Sequence, residues 1–483
     1  MKTEIIYPSP LELKIIKHES LEEAPESVYL TAPSLVKPGE KFSLKIAVVG
    51  KNGFAASDCD RLTIESDEIK DFKINVDFQK EALSLCEVQG VEINDKGFVR
   101  FHTNLNGKTF YSNPVYCSYE NDEKIYWGDP HVHTILSRCN TERCRTLNYC
   151  YTAGRHLSQL DWVGAADHVS NGRCDFSKWR EQSIVSNLYN DEPDFATLPA
   201  YEASLKGSCG GDNNVYMKSF PEMFVDDYES GTPKTLAEGL KEKLPESDFF
   251  IVPHHTTRTG KHGEFSDDIY PGKNISPVLE IHSKWGTSEY RGNPNPLKEI
   301  HDGPSYANDL LKQGFPFAFI GGTDTHATMP GIFAGTDSPH IDRHPGITAI
   351  FASDLSRENV FEAIKNRRCY ASSLDRNLIL AKINDNDFGT FHPLTDKPIQ
   401  IKALLAGKSE ITRIDLIRNG ESIKNQEVND WKTSFEYNDS DDLNELLLDS
   451  PYMGKFVYYY IRATFKNNSQ AWTSPAWFCE KTN

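Results

Sequence analysis

Six apolar stretches between residues 124 and 326 each end on groups that bind metals readily: KIYWGDPHVH, LDWVGAADH, FATLPAYE, FFIVPHH, PVLEIH and FAFIGGTDTH. One polar residue after a strand is unremarkable. Six endings that all supply His, Asp or Glu point instead to ligands gathered at one end of a barrel. The expected content is a multinuclear metal site, and the expected chemistry is hydrolysis.

The residues can be taken in chain order. His131 and His133 are two apart, so on a strand they share a face. Two imidazoles at that spacing suit Zn, Mn or Fe. Asp167 and His168 close the second stretch, where the imidazole can ligate and the neighbouring carboxylate can orient it. Glu202 follows an apolar strand, and a carboxylate pointing inward there needs a metal or an Arg. His254 and His255 are consecutive, so on a strand they face opposite sides. His254 is expected to ligate and His255 to face the substrate. Glu280 and His282 share a strand face, and either can reach the site. Asp324 and His326 form a D-x-H pair, with Gly321 and Gly322 before them permitting close approach of the backbone.

A metal pair lowers the pKa of a bound water and polarises the bond to be cleaved, so no Ser or Cys nucleophile is required. His255 or Asp167 is then expected to move protons to the leaving group. Arg173, Arg258 and Lys284 follow ligand motifs on loops that can reach an anion; His282 joins them as a substrate-binding candidate. Trp285 and Tyr290 are candidates for lining the pocket.

Three segments position these residues. Residues 1–124 read as short β-strands with Pro-Gly, Asn-Gly and Asp-Lys-Gly punctuation, the pattern of a small sandwich. Their His102 reads as a surface or cross-strand residue. Residues 125–372 alternate apolar strands with helical segments: TLNYCYTAGRHLSQL, SKWREQSIVSNLY, PKTLAEGLKEKL, PSYANDLLKQG and SRENVFEAIKNRR. That βα alternation predicts a parallel barrel or doubly wound sheet, and a barrel gathers ligands at the C-terminal ends of its strands. Residues 373–483 return to β patterning, and RNGE reads as a hairpin turn in a second sandwich.

Composition narrows the partners. The chain has 483 residues, enough for two or three domains, and a formal net charge of -18. That charge argues against a general nucleic-acid or anionic-membrane binder, which needs clustered Lys and Arg. Local Lys and Arg can still hold a small anionic substrate. The opening MKTEIIYPSPLELK has no long apolar run, and no stretch approaches a membrane span. Ten Cys without a compact framework fit a reducing compartment. The expectation is a soluble cytoplasmic protein acting on a small molecule, with homo-oligomerisation left open.

In order, HVH, ADH, YE, PHH and DTH resemble the PHP (polymerase and histidinol phosphatase) superfamily of metal-dependent hydrolases. YWGDPHVHT, GGTDTH, PGITAIFASDLSRENVFEAIKNRRCYASS and AWTSPAWF are similar to a PHP-related branch of unknown function, itself similar to carbamate (carbaryl) hydrolases. The resemblance covers residues 125–380 and, more loosely, the final β segment. It implies a distorted TIM-like (β/α)7 barrel flanked by N-terminal and C-terminal β-sandwich-like domains, and two or three divalent metal ions (Zn, Mn or Fe). By position, His131, His133, Glu202 and Asp324 would hold one metal, with Glu202 bridging to a second held by His254. His168 and His326 would help hold a third. Two positions depart from that pattern. Cys139 stands where an acidic residue is usual, and Asp212 falls near a usual His. Either can ligate, Cys139 as a thiolate favouring zinc. The implied function is a phosphoesterase on a small phosphate ester. The alternatives are a carbamate, ester or amide hydrolase using the same site, and a non-catalytic metal-binding scaffold.

Overall fold

The computed structural model describes residues 3–78, 83–206, 210–226, 231–258, 265–297, 303–331 and 344–482. The N-terminal segment holds helix α1 (Pro10–Glu19) and eleven short strands: β1 (Glu4–Ile6), β2 (Ser27–Thr31), β3 (Leu35–Val36), β4 (Lys41–Val49), β5 (Arg61–Glu65), β6 (Lys73–Asp77), β7 (Leu85–Glu92), β8 (Gly97–Val99), β9 (His102–Leu105), β10 (Lys108–Tyr111) and β11 (Val115–Cys117). They form three small sheets, ordered β1-β7-β4-β2, β10-β9-β5-β6 and β3-β11-β8. Alternate residues of β2 and β6 are buried, as the period-2 pattern requires, and a single core that includes Val28, Ile46, Ile64, Val88 and Phe101 fills the space between sheets. His102 lies in the cross-strand pair with Tyr111, away from the metal-friendly residues.

The central segment carries β12 (Lys124–Val132), β13 (Trp162–Ala165), β14 (Ala196–Thr197), β15 (Ala200–Leu205), β16 (Gly211–Met217), β17 (Phe249–His254), β18 (Val278–Ser283), β19 (Gly286–Thr287), β20 (Ala318–Gly321), β21 (Gly346–Ala352) and β22 (Cys369–Ser373). Helices α2 (Leu147–His156), α3 (Phe176–Tyr189), α4 (Pro233–Lys241), α5 (Ala307–Lys312) and α6 (Arg357–Lys365) match the five segments whose patterning predicts helix, with α3 starting just ahead of its segment at Phe176. Thr146, Asp175, Thr232 and Ser356 cap four of them with side-chain oxygens.

The helices are where the pattern puts them, but the barrel is not. The chain is 43% strand and 15% helix, a distorted TIM-like (β/α)7 barrel is not formed, and no sheet closes among the described residues. Strand pairing gives the reason. β12, β13 and β14 pair in parallel, as do β18 and β20. β15, β16 and β17 instead form an antiparallel meander. The link from β15 to β16 spans only residues 206–210, and a parallel return needs a dozen or more residues. β21 pairs antiparallel with both β12 and β22, although α6 lies between β21 and β22 in sequence. Alternation of strand and helix therefore identifies the elements without fixing their partners.

The C-terminal segment does not stand apart as a second sandwich. β22 pairs with β30 (Gln470–Thr473), which continues through β29 (Gly454–Phe465) and β26 (Ile399–Arg418) to β23 (Leu378–Ile383), so one sheet runs from β14 into the C-terminal strands. The free edge of β22 is what the C-terminal chain completes. β26 and β27 (Glu421–Asp439) make a long hairpin through Asn419 and Gly420, both at positive φ, so the expected RNGE turn is present. No described helix is long and apolar enough to cross a membrane.

Two close approaches fix the frame. Gly128 in β12 lies against Trp162 of β13, and a Cβ there would sit 2.1 Å from the indole. Glu289, fully buried beyond β19, accepts hydrogen bonds from Tyr460 Oη (2.7 Å), Arg462 Nη1 (2.8 Å) and Trp472 Nε1 (2.7 Å). This anchor ties the loop carrying Lys284 and Trp285 to the C-terminal sheet. Removing one partner of a buried ion pair strands the other charge. Glu289→Leu is therefore expected to destabilise the protein by about 3–5 kcal/mol, read as a lowered midpoint in urea unfolding. A loss below about 0.5 kcal/mol, usual for surface substitutions, would show that Glu289 is not an anchor.

Candidate metal centre

The centre begins where β12 ends. The β12–β13 register shifts between Asp129 and Val132, and the following turn brings the 323–326 segment alongside. Asp324 N donates to His131 O (2.8 Å), and His133 N donates to Thr325 O (3.1 Å). Asp129 fastens the two turns. Its carboxylate accepts from His131 N (3.1 Å), Thr323 N (3.0 Å), Thr323 Oγ1 (2.6 Å) and Gly331 N (2.9 Å). Burial pushes Asp129 up to about 6 against the pull of those donors. Sequence reasoning did not assign Asp129 a role; its position two residues before His131 was the available signal.

Glu202, on β15, is the hub. Its Oε2 lies 3.0 Å from His168 Nδ1, 3.2 Å from His133 Nε2 and 3.6 Å from His131 Nε2, and its Oε1 lies 3.2 Å from His254 Nε2. Asp324 is the second hub. Its Oδ1 is 3.1 Å from His133 Nε2, 3.6 Å from His131 Nε2 and 3.5 Å from His326 Nδ1, and its Oδ2 is 2.7 Å from His255 Nε2. Burial disfavours charge on both carboxylates, yet the facing imidazoles hold each well below the usual carboxylate range. Burial likewise opposes charge on His131 and His133, and the carboxylates outweigh it; His133 is raised to about 10.

His254 and His255 both bring a ring nitrogen to the carboxylates of the centre, although consecutive strand residues face opposite sides. The strand ends at His254, and His255 turns into the left-handed region at φ 55. That turn cancels the alternation and swings the second imidazole inward. Asp324, at φ 50, is held in the same region. Such conformations persist only where the surroundings over-determine them, as the short His255–Asp324 contact does here.

Of the pair on β18, Glu280 reaches the centre. Glu280 Oε2 lies 3.0 Å from His131 Nδ1, placing a carboxylate behind the imidazole. Gly322 makes room, since a Cβ there would lie 2.7 Å from Glu280 Oε2 and 2.7 Å from His131 Cβ. His282 bonds Thr287 Oγ1 (2.8 Å) and His344 O (2.8 Å) and stacks on Trp472. Asp167 is buried beside the turn after His133. Both of its oxygens accept from Thr134, at 2.6 Å from N and 2.7 Å from Oγ1, and so set the turn after His133.

The remaining candidates lie at the edge. Asp212 is buried on β16, in register with Ser204 and His254. Cys139 is half-buried, and Cys144 Sγ donates to His326 O at 3.3 Å. Lys284 is only 5% exposed, with Nζ 5.1 Å from the Trp285 ring centroid, and the Arg258 guanidinium lies 4.9 Å from the same ring. Trp285 stands edge-on to His255 (5.9 Å) and His326 (5.8 Å). Tyr290 packs under Arg462, and Arg173, whose carbonyl accepts from Lys178 Nζ (2.7 Å), lies in the turn before α3.

The donor set fits metal. Four groups bring ligand atoms within 4.8 Å of one another: His131, Glu202 and His254; His131, His133 and Asp324; His254, His255 and Asp324; and His133, His168 and His326. His131 Nε2, Glu202 Oε2 and His254 Nδ1 are buried with no hydrogen-bond partner. Buried polar atoms are almost always satisfied, and a cation would satisfy the two that face each other, His131 Nε2 and Glu202 Oε2. Imidazole with carboxylate suits Zn, Mn or Fe. Cys139 and Asp212 belong to none of the four groups among the described residues.

No protein-family profile matches the chain. An uncharacterized protein of Chlamydia muridarum (strain MoPn / Nigg) is 31% identical over 483 residues, covering 94% of this chain and 74% of that protein. The chain belongs to that chlamydial family. Another member, an uncharacterized protein of Chlamydia trachomatis serovar D, is 24% identical with the same coverage. A third, from Chlamydia pneumoniae, is 26% identical over 399 residues, and the match spans 62% of its length. Among solved structures, the sulfur carrier protein SoxY of Chlorobium limicola f thiosulfatophilum is 14% identical at a TM-score of 0.15, covering 22% of this chain and 96% of that one. Bacteroides uniformis β-glucuronidase is 10% identical at 0.20, covering 93% and 60%. Likenesses this distant carry no argument.

Glu280 tests the geometry. Partners that orient a ligating imidazole typically contribute 10–100-fold to metal affinity. Glu280→Gln is expected to weaken zinc binding by about that factor, measured by competition with a chromophoric chelator. An unchanged affinity would remove Glu280 from the centre.

Proposed function

We propose that the chain is a metal-dependent hydrolase that holds two or three divalent cations on His131, His133, His168, Glu202, His254, His255, Asp324 and His326 and cleaves a small ester. A phosphate ester is the leading substrate class, and a carbamate or carboxylic ester is the alternative. One observation carries the reading: six imidazoles converge on two buried carboxylates, leaving His131 Nε2 and Glu202 Oε2 unsatisfied by hydrogen bonds. Burying that many ionisable groups without a cation would be expensive.

Bound cations supply Lewis acidity and lower the pKa of water at neutral pH. The chain's own residues do the rest. Glu280 fixes the orientation of His131 through Nδ1, and Ser137 Oγ does the same for His133 through its Nδ1 at 2.9 Å. Asp129 and Asp167 keep the two turns in place without facing the reaction. His255 is pushed below the usual imidazole value by burial, which favours the neutral form that a ligand needs. Trp285 limits access of water from its side. Lys284 and Arg258, both beside Trp285, bring positive charge to the rim, which favours an anionic ester over a neutral one.

The test compares an aryl phosphate, an aryl ester and an aryl carbamate on chelator-stripped protein before and after reconstitution with Zn or Mn. Hydrolysis of the phosphate only after reconstitution is expected. His131→Ala and Glu202→Gln should each lower it by about 100-fold or more, the upper range for losing a ligand's supporting partner. Turnover of the carbamate or ester alone selects the alternative. Activity unchanged in His131→Ala would contradict the assignment.

A further inference from the structure

Two short turns meet beside His255 and His326. The first follows β17 and is closed by Arg258 N donating to His255 O (2.8 Å), with Thr256 and Thr257 between them. The second joins β18 to β19. Ser283 pairs with Gly286, so Lys284 and Trp285 are the two loop residues of a tight hairpin. Lys284 N donates to Thr323 O (3.2 Å), which fixes this hairpin next to Asp324. The Trp285 ring joins the two turns. The Arg258 guanidinium lies 4.9 Å from its centroid and Lys284 Nζ 5.1 Å, while the His255 and His326 rings stand edge-on at 5.9 and 5.8 Å. Each turn also carries one buried donor without a partner. Trp285 Nε1 and Thr257 Oγ1 make no hydrogen bond, and Thr257 is only 1% exposed. Buried polar atoms are nearly always satisfied, so two orphans on adjoining turns call for an acceptor. An indole N–H can only donate, and Lys284 and Arg258 are donors themselves. The imidazoles do not answer it either, because His255 Nε2 and His326 Nδ1 face Asp324.

We infer that Trp285 Nε1 and Thr257 Oγ1 are hydrogen-bond donors to the non-bridging oxygens of a terminal phosphate group, with Arg258 and Lys284 supplying the countercharge. Two donors and two cations with no acceptor among them form a subsite for an oxyanion. A phosphate monoester carries two negative charges and three non-bridging oxygens, enough to answer all four groups. A carbamate offers one neutral carbonyl oxygen, and binding it would leave a donor and both cations unanswered. Unpaired buried donors are how a polar pocket rejects the wrong ligand, so these two residues set the substrate class. The inference rests on the proposed metal centre, since the ligands His255 and His326 are what place this subsite beside the reacting group.

The probe is inorganic phosphate, titrated by calorimetry into the full chain loaded with zinc, with bound zinc counted in the same samples by elemental analysis. Trp285→Phe keeps an aromatic ring for Arg258 and Lys284 but removes the N–H. Thr257→Val keeps the shape but removes the hydroxyl. Each is expected to weaken phosphate binding by about 10-fold at unchanged zinc content, the scale for losing a hydrogen bond to a charged group. Thr257→Ser, which retains a hydroxyl, is expected to bind phosphate as the wild type does. The indole gives a direct signature. In protein made with isotope-labelled tryptophan, the N–H resonance missing from Trp285→Phe is expected to move downfield when phosphate is added to the zinc-loaded wild type. Zinc-loaded protein that ignores phosphate, or that binds it equally tightly in Trp285→Phe and Thr257→Val, overturns the subsite and leaves the metal centre standing. A loss in one variant alone overturns the role of the other residue. Wild type that takes up no zinc overturns the metal centre and this inference with it. Where Trp285→Phe does not fold, equal phosphate binding by Thr257→Val and Thr257→Ser overturns the subsite by itself.

Discussion

Glu202 and Asp324 are carboxylates buried among imidazoles, and the rest of the centre follows from having to satisfy them. A lone buried carboxylate carries a penalty of several kcal/mol or more, so each must be met by opposite charge or by metal. Glu202 is met by four histidines on three chain segments, and Asp324 joins the ends of two of those segments to His326. The surrounding protein holds those segments at the required spacing. Asp129 clamps the His131 turn to the Asp324 turn, Asp167 sets Thr134, and Gly322 leaves space for Glu280 behind His131. These supports lie one layer away from the ligand atoms, and each holds a backbone or an imidazole rather than facing the reaction.

The frame meets this demand without a closed barrel. Three sheets supply the ligands: β12 and its parallel neighbours, the β15–β16–β17 meander, and the β18–β20 pair. The C-terminal strands extend the first of these sheets, and through Tyr460, Arg462 and Trp472 they hold Glu289 and the loop that carries Lys284 and Trp285. The C-terminal segment therefore has a direct part in shaping the rim of the centre, which a detached β domain would not have.

Much of the centre was legible in the sequence because residue type and strand period are local properties. HVH on one strand and DTH after a Gly pair place His131, His133, Asp324 and His326 together, and helix patterning located α2, α3, α4, α5 and α6. Three kinds of information were not local. Strand partners depend on connection length and on free edges elsewhere in the chain, so the β15–β16 return and the antiparallel placing of β21 were not visible in βα alternation. A single positive φ at His255 reversed the facing rule that applies along a strand. The division of carboxylates into those that face metal-ready nitrogens and those that hold backbone, as Asp129 and Asp167 do, depends on where their oxygens point.

The central claim is that the imidazole–carboxylate cluster is built for cations. Its most direct test is elemental analysis by inductively coupled plasma mass spectrometry of protein stripped with chelator, reconstituted with zinc or manganese and desalted, beside Glu202→Gln treated in the same way. The account predicts two or three bound metals per chain in the wild type and fewer in the variant. Wild-type protein that retains none, while remaining folded, would contradict it.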